Sequence, residues 1–258
     1  MKNIAAMVGK EMRLYFSSPI VYVLAAVFLL ITDFLFYGQI VFYSNMASQM
    51  MQFQQNMPNL NVHQVVFQPA FMNMGIILLL MVPLLTMRLF SEEKKARTLE
   101  LLLTSPLTIT EIVLAKFIAA FSIYLILLAL TLHVPLMLSM LTPVSIKPLL
   151  ASYLALALMG GVFVSFGLFA STLSENQVVS AVTSFGILIG LWLIGGGQEA
   201  GGNASPMDAV LSFLSLVRHL ENMVRGLIDT RDLGYFISLT LMGLFLSHRA
   251  IESTRWRG

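Results

Sequence analysis

Charged side chains are scarce in this chain, and the densest run of them lies in residues 91–105. A helix drawn through this segment places Glu93, Arg97 and Glu100 at positions i, i+4 and i+7, so they share one face and can pair. They make a charged face that could be offered to something in the cytoplasm. The alternative is a solvated connector, because charge runs usually lie in water.

Three residues in the apolar parts of the chain also suggest a functional position. Asp33 lies inside a long apolar stretch, where a carboxylate is costly enough to indicate function. Its alternatives are an outward aqueous vestibule or a structural pair with another chain. Gly186 and Gly190 form a G-x-x-x-G motif, which lets two helices approach closely, either between chains or within one. His133, in another apolar stretch, is more simply a packing residue.

A metal site and an enzyme site are the remaining chemical interpretations. Met46, Met50, Met51 and His63 combine thioethers with an imidazole, a ligand set that suits Cu(I). A methionine-rich helix at a membrane surface explains the same pattern, and we therefore predict no metal. The chain contains no G-x-x-x-x-G-K-[ST] motif, so it lacks a P-loop for a nucleotide. No Ser-His-Asp or paired-carboxylate pattern indicates an enzyme, and we expect no cofactor in this chain.

Membrane-spanning helices are the elements that must position these residues. Hydrophobic residues make up 57% of the 258 positions and charged residues 11%, whereas a soluble domain carries about 25% charged residues. A span needs about 20 apolar residues to cross about 30 Å of hydrocarbon. We therefore predict an all-α membrane protein with a six-span transmembrane domain at residues 19–250. The spans are 19–43, 69–90, 112–141, 148–172, 177–197 and 233–250.

The distribution of positive charge predicts the orientation. Eleven of the 15 Lys and Arg residues flank one set of span ends, and such ends face the cytoplasm. Both termini, including the tail at 251–258, are therefore expected in the cytoplasm. Residues 1–18 have the pattern of an amphipathic helix on the membrane surface. Residues 198–232 form an extracytoplasmic segment, with a short helix at 206–227 that has Asp208 near its start.

The start of the third span carries its own signals. Thr108 and Glu111 have the spacing of a capping box, in which each residue satisfies a backbone amide of the other. Lys116 follows within the apolar stretch, and we expect its long side chain to reach back to the cytoplasmic interface.

Three separate stretches of the sequence resemble one membrane-protein family. Residues 86–116, with the run T-L-E-L-L-L-T-S-P-L, resemble the signature of ABC-2-type permeases. More narrowly they resemble the gliding-motility-associated group, which is related to the nitrous-oxide-reductase maturation permeases. Residues 167–177 resemble that family's turn between the fourth and fifth spans, and residues 225–236 its approach to the last span. The family commonly has glycine where this chain has Arg97 and Ala115.

The resemblance implies the ABC-2 architecture, which is like that of type V exporters. Residues 1–18 would be an elbow helix, and residues 91–105 a coupling helix that docks on a cytoplasmic ABC ATPase. The residues that would carry the polar contact are Glu92, Glu93, Arg97 and Glu100. That ATPase would bind ATP and Mg, and the chain would be the permease subunit that exports, or does mechanical work, across a bacterial inner membrane.

Further partners are implied by the same resemblance. A second permease copy, most simply an identical one, would pair through the first and fifth spans. Asp33, Gly186 and Gly190 would then lie at the two-fold interface or along the pathway. An auxiliary protein with a large periplasmic part is another implied partner. Membrane lipid surrounds the spans, and no nucleic acid is expected.

Two other functions are compatible with the residues. A structural membrane subunit of a surface or gliding machine, without a transported substrate, would keep the same docking helix. An ATP-independent channel or carrier would contain intramembrane charge pairs or a repeat of broken helices. The sequence reveals neither of these two features.

Overall fold

The computed structural model of the chain describes residues 2–52, 61–104, 106–142, 144–194 and 213–255. Every regular element in these ranges is helical, which confirms the predicted all-α class. In chain order the elements are α1 (Lys2–Ser17), α2 (Pro19–Gln52), a π-helical turn (His63–Phe67), α3 (Gln68–Thr86), α4 (Arg88–Lys95), α5 (Leu99–Thr104), α6 (Ile109–Leu130), α7 (His133–Leu141), α8 (Ile146–Leu173), α9 (Gln177–Leu193), α10 (Leu216–Val224) and α11 (Thr230–Arg255).

Membrane-spanning length and apolar composition occur together in four helical stretches of the described ranges. These are Pro19–Met50, His63–Lys95, Ile109–Leu141 and Ile146–Leu173. They correspond to the first four predicted spans. α9 is apolar but only 17 residues long, and α11 carries charged residues near both ends of its apolar centre. The fifth and sixth spans therefore stay predictions.

The helix that contains the first predicted span is longer than the span itself. The sequence suggested that a polar outer segment begins at residue 44, but α2 continues as a helix to Gln52. Residues 44–52 contain methionine, alanine and glutamine and no glycine or proline, so nothing in their helix propensity stops the helix. The helix therefore extends nine residues beyond the predicted span 19–43.

Residues Lys2–Ser17 form a helix, α1, which packs along α6. Its buried face carries Met7, Glu11 and Tyr15, whereas Lys10 and Arg13 are exposed. This spacing of four residues is that of one helical face. A charged residue, Glu11, thus lies on the buried side, and it needs a partner there.

α8 is the central helix and contacts α3, α6, α9, α10 and α11. A helix that is apolar on all sides is expected to be buried in this way. Small residues let its neighbours approach: a Cβ atom on Gly160 would lie 2.0 Å from the Tyr124 ring, and one on Gly167 would lie 2.2 Å from the Thr86 hydroxyl. The Tyr124 hydroxyl donates to the Leu156 carbonyl at 2.6 Å.

The third span begins as predicted and is then interrupted. The Glu111 amide donates to the Thr108 hydroxyl, and the Thr108 amide donates to the Glu111 carboxylate, which confirms the capping box. The span breaks between α6 and α7. Pro135 accounts for the break, because it has no N–H to donate to the carbonyl of Thr131, four residues earlier.

α10 ends in a turn with glycine at its left-handed position. Gly226 has a φ of 90°. The Leu227 amide donates to the Asn222 carbonyl at 3.2 Å, and the Gly226 amide donates to the Met223 carbonyl at 2.9 Å. These two bonds define a Schellman motif. A Cβ atom at Gly226 would lie 3.0 Å from the Pro148 side chain, so both the backbone and the packing favour glycine.

Hydrogen bonds between side chains and neighbouring segments fasten the same end of the bundle. The Val224 carbonyl lies 2.7 Å from His63 Nε2 and 3.2 Å from the Ser152 hydroxyl. His219 Nδ1 lies 2.5 Å from an Asp232 carboxylate oxygen. These contacts join the π-helical turn, α8, α10 and α11.

Candidate functional site

The segment predicted to be one coupling helix is two helices joined by a tight turn. At the end of α4 the Thr98 amide donates to the Glu93 carbonyl at 2.9 Å, and the Arg97 amide donates to the Lys94 carbonyl at 3.0 Å. This is again the Schellman pattern. Arg97 occupies the left-handed position, with a φ of 54°, and α5 begins directly after this turn.

The turn corrects the expected arrangement of charges. Glu93, Arg97 and Glu100 do not share one helical face, because the left-handed residue redirects the chain between them. The signal that could have predicted the turn was the glycine that the family commonly has at the position of Arg97. Glycine adopts a positive φ without the steric penalty that other residues have.

The four predicted contact residues divide into two groups. Glu92, Arg97 and Glu100 are exposed. The Glu93 side chain, in contrast, points inward and is only 16% exposed. An apolar residue, Leu101, lies beside Glu100 and is 71% exposed. The outward surface therefore combines three charges with an apolar side chain.

A buried cluster of charges lies behind that surface. Lys116 Nζ donates to Glu11 Oε1 and to Glu93 Oε1, each at 2.9 Å. Lys116 is 1% exposed and Glu11 5%. The ammonium also lies 5.1 Å from the centre of the Phe90 ring. Its two counter-ions thus hold the Lys116 side chain inside the protein rather than in solvent.

The residue next to Glu93 fastens α4 in a different direction. Lys94 Nζ donates to the Thr172 carbonyl at 2.5 Å, near the end of α8. A lysine can satisfy the backbone carbonyls that a helix leaves free at its C-terminus. Two consecutive residues of α4 thus contact different parts of the helix bundle.

A cleft of about 480 Å³ opens between α1 and α4, beside the charge cluster. Its wall includes Tyr15, whose hydroxyl donates to the Leu85 carbonyl at 3.1 Å. Burial raises the pKa of Tyr15, and the nearby Glu11 adds to this effect. Arg88 donates to the Ser18 hydroxyl at 2.9 Å and lies over the Tyr15 ring.

Two polar residues that the sequence suggested separately form a pair. His133 Nε2 lies 3.1 Å from Asp33 Oδ1. The pair joins α2 to the first residue of α7, at the break in the third span. Their side chains are 44% and 46% exposed. The sequence revealed no such pair, because residues 100 positions apart cannot be paired from spacing alone.

The small-residue motif of α9 is open on its outer side. A Cβ atom at Gly186 or Gly190 would meet nothing within 4 Å among the described residues. This disfavours packing within the chain as the reason for the two glycines. α2 is similarly uncovered, since 28% of its most apolar stretch is buried, against 56–67% in the other three candidate spans.

The residues of the copper alternative are placed only in part. Met46 and Met50 are half-buried on α2. The side chain of Met51 and the stretch with Asp208 lie outside the described residues. His63 is 3% exposed, and its Nε2 atom lies 2.7 Å from the Val224 carbonyl.

Comparison with known families gives one match. Residues 5–247 match the sequence profile of a family described as ABC-2 family transporter protein. A search of curated proteins finds no match.

Proposed function

Since the chain belongs to the ABC-2 transporter family and is a membrane permease subunit of an ABC transporter, we propose that it couples ATP hydrolysis by a separate cytoplasmic ATPase to export or mechanical work. Members of the family generally work with such an ATPase, and they are typically the non-catalytic membrane component. In this proposal the ATPase binds the ATP and Mg. A bacterial inner membrane is the proposed location, and the gliding-motility group is the proposed subgroup.

The observation that carries this proposal is the exposed charge on the α4–α5 segment. Glu92, Arg97 and Glu100 project from a tight turn outside the apolar bundle, next to the exposed Leu101. Complementary charges at a rim steer association and fix register, and an apolar side chain adds buried area. Glu93, the fourth predicted contact residue, points inward. In this proposal it supports the surface from inside and does not itself touch the ATPase.

Charge reversal on this surface tests the docking. We expect Glu92→Lys with Glu100→Lys to insert and fold as the wild type does, because exposed charges contribute about 0–1 kcal/mol. The variant should lose the ATPase in copurification from native membranes, since like charges brought together at an interface cost several kcal/mol. Glu221→Lys, on α10 at the other end of the bundle, is the control. An ATPase that stays bound to the double variant would contradict the proposal.

The orientation that we propose has six spans, α1 as the elbow helix and both termini in the cytoplasm. The chain has no cysteine, so single introduced cysteines can be labelled without background. Residues 55 and 230 should react with a membrane-impermeant reagent from outside, and Thr230 is exposed in the structure. Residue 95 and the C-terminus should react only from inside. Labelling of residue 55 from the cytoplasm would overturn the six-span arrangement.

We propose that two copies of the chain pair through α2 and α9, with Asp33, Gly186 and Gly190 at the interface or pathway. The open glycine face, the exposed α2 and the half-exposed carboxylate support this surface, because an exposed charge is costly in lipid. Gly186→Cys or Gly190→Cys should cross-link between copies. Efficient cross-linking only from α8 or α11 would reject this interface. An auxiliary protein with a large periplasmic part is a further proposed partner.

One observation favours an alternative function. The Asp33–His133 pair is the kind of intramembrane pair that an ATP-independent carrier would contain. Copurification separates the two possibilities, since a carrier needs no ATPase. A structural subunit of a surface machine would keep the ATPase, and it would differ in moving no substrate.

A further inference from the structure

Three separate helices meet at the side chain of Lys116. The lysine belongs to α6, Glu11 to α1 and Glu93 to α4, and the two Nζ–Oε1 distances are both 2.9 Å. The Lys116 side chain is 2% exposed and that of Glu11 7%. A buried charge is stable only when it is paired and hydrogen-bonded. Glu11 and Glu93 each depend on Lys116 for the burial of their charge, so α6 joins α1 and α4 through this one side chain.

Apolar packing and polar contacts both hold these helices, and those between α1 and α4 are polar: the charge cluster, and Arg88, which lies over the Tyr15 ring. α1 packs along α6 over much of its length, so apolar contact already joins those two. Between α1 and α4, in contrast, the cleft of about 480 Å³ replaces close packing. Glu93 crosses behind this cleft to reach Lys116. Separating α4 from α1 would therefore mean separating buried opposite charges.

The neighbouring lysine extends the connection to the central helix. Lys94 donates to the Thr172 carbonyl of α8, so consecutive residues of α4 hold α6 with α1 on one side and α8 on the other. Beyond the turn at Arg97, the more extensive contacts of α5 are with α4. A force applied to α5 would thus reach the bundle mainly through α4.

We propose that Glu11, Glu93 and Lys116 are positioning residues that lock α1, α4 and α6 into one rigid unit, so that displacement of α5 by a docked partner moves α1 and the third span together. The docking part of this idea rests on the proposed function. Glu93 belongs to the lock rather than to the contact surface, whereas Glu92, Arg97 and Glu100 belong to the surface. In this proposal α1 moves together with α4 and α6 at the cytoplasmic end of the bundle.

A pair of spin labels tests the lock directly. Lys10 on α1 and Ala96 at the end of α4 are exposed on opposite walls of the cleft, and cysteines introduced there would be the only ones in the chain. The distance between the labels is measured in lipid nanodiscs, for the permease alone and for its complex with the copurified ATPase, without nucleotide and with trapped ATP. Glu93→Ala is the test variant, because it leaves the balanced Glu11–Lys116 pair in place. Lys95→Ala, on the exposed side of α4, is the matched control.

We expect one narrow distance distribution for the wild type and for Lys95→Ala, unchanged by ATP. In Glu93→Ala the distribution should broaden even in the permease alone, and it should shift when ATP is trapped. The ATPase should copurify with this variant as with the wild type, which a loss of docking would not allow. If Glu93→Ala fails to insert, Glu93→Gln replaces it, and a distribution broader than that of the wild type is again expected.

Two results would contradict the proposal that this cluster locks the three helices together. The first is a wild-type distance that changes with ATP, since α1 and α4 would then move separately. The second is a variant distribution as narrow as that of the wild type. If no ATPase copurifies with the wild type, the proposed function fails, but the measurement on the permease alone still decides whether the cluster holds the helices together.

Discussion

Two helix ends in this chain, after α4 and after α10, have the same pair of backbone hydrogen bonds but different residues at the left-handed position. After α10 that residue is Gly226, with a φ of 90°, and after α4 it is Arg97, with a φ of 54°. At Gly226 a Cβ atom would lie only 3.0–3.2 Å from Pro148, so a side chain there would press on its neighbour. At Arg97 the side chain is exposed, so no packing requires an arginine there.

The turn after α10 is thus shaped by packing, whereas the turn after α4 presents an exposed side chain to its surroundings. A left-handed conformation costs a residue other than glycine about 1–2 kcal/mol. Since the fold itself gains nothing from the guanidinium of Arg97, its position on the surface favours a contact outside the chain. The two ends also differ in how they are fastened: buried charges hold α4, and hydrogen bonds to a backbone carbonyl hold α10.

The largest expected effect comes from removing the charge that fastens α4. Lys116→Met leaves Glu11 and Glu93 buried without a counter-ion, and breaking a buried ion pair in this way costs about 3–5 kcal/mol. We expect the free energy of unfolding in detergent to fall by that amount. Lys95→Met, an exposed lysine on α4, should change it by less than about 0.5 kcal/mol. Equal effects of the two variants would show that the buried cluster does not fasten this end.

Gly226→Ala tests whether packing and backbone both require glycine after α10. The left-handed conformation alone should lower the free energy of unfolding by about 1–2 kcal/mol, and the contact with Pro148 should add to the loss. Gly9→Ala is the control, because a Cβ atom there meets nothing within 4 Å and alanine favours a helix by about 1 kcal/mol. A stabilising effect at both glycines would contradict the comparison.

His63→Leu tests the hydrogen bonds that fasten the same end. When the imidazole is removed, the Ser152 hydroxyl, which is shared with the Pro148 carbonyl, is still within reach of the Val224 carbonyl. The free energy of unfolding should therefore fall by only about 1 kcal/mol, the net contribution of one hydrogen bond. The double variant with Ser152→Ala should lose more than the sum of the two single losses, because the buried carbonyl is then without a donor. Strict additivity would argue against this shared role.

The smallest expected effect has the opposite sign. Arg97→Gly relieves the left-handed residue but makes the unfolded chain more flexible, so we expect a gain of about 0.5–1 kcal/mol in the free energy of unfolding. The same variant should bind the proposed ATPase more weakly, because the surface loses a charge. Arg97→Lys keeps the charge and should leave stability unchanged. If Arg97→Gly instead lowered the free energy of unfolding, the turns after α4 and α10 would not differ in the way described.

Local patterns in the sequence were sufficient for the helical class, for the first four spans and for the capping box at Thr108. Each depends on residues within one stretch. The position of Lys116 was missed, because one of its partners, Glu11, lies 105 residues away and spacing carries no information at that distance. A lysine inside an apolar stretch is itself a signal that counter-ions must lie nearby. Asp33 and His133 were recognised singly, and only the fold brings them together.

The length of α2 has a mechanical consequence. Its 34 residues make a rod of about 51 Å, whereas the hydrocarbon it crosses is about 30 Å thick. In the proposed orientation about 20 Å of continuous helix therefore stands beyond the membrane on the outer side. A stiff rod of this kind is a lever arm: a small change of tilt within the membrane is amplified in proportion to the length that extends beyond it. A movement at the inner end of α2 would thus displace its outer end at a distance from the lipid surface. No further domain would be needed to transmit this movement.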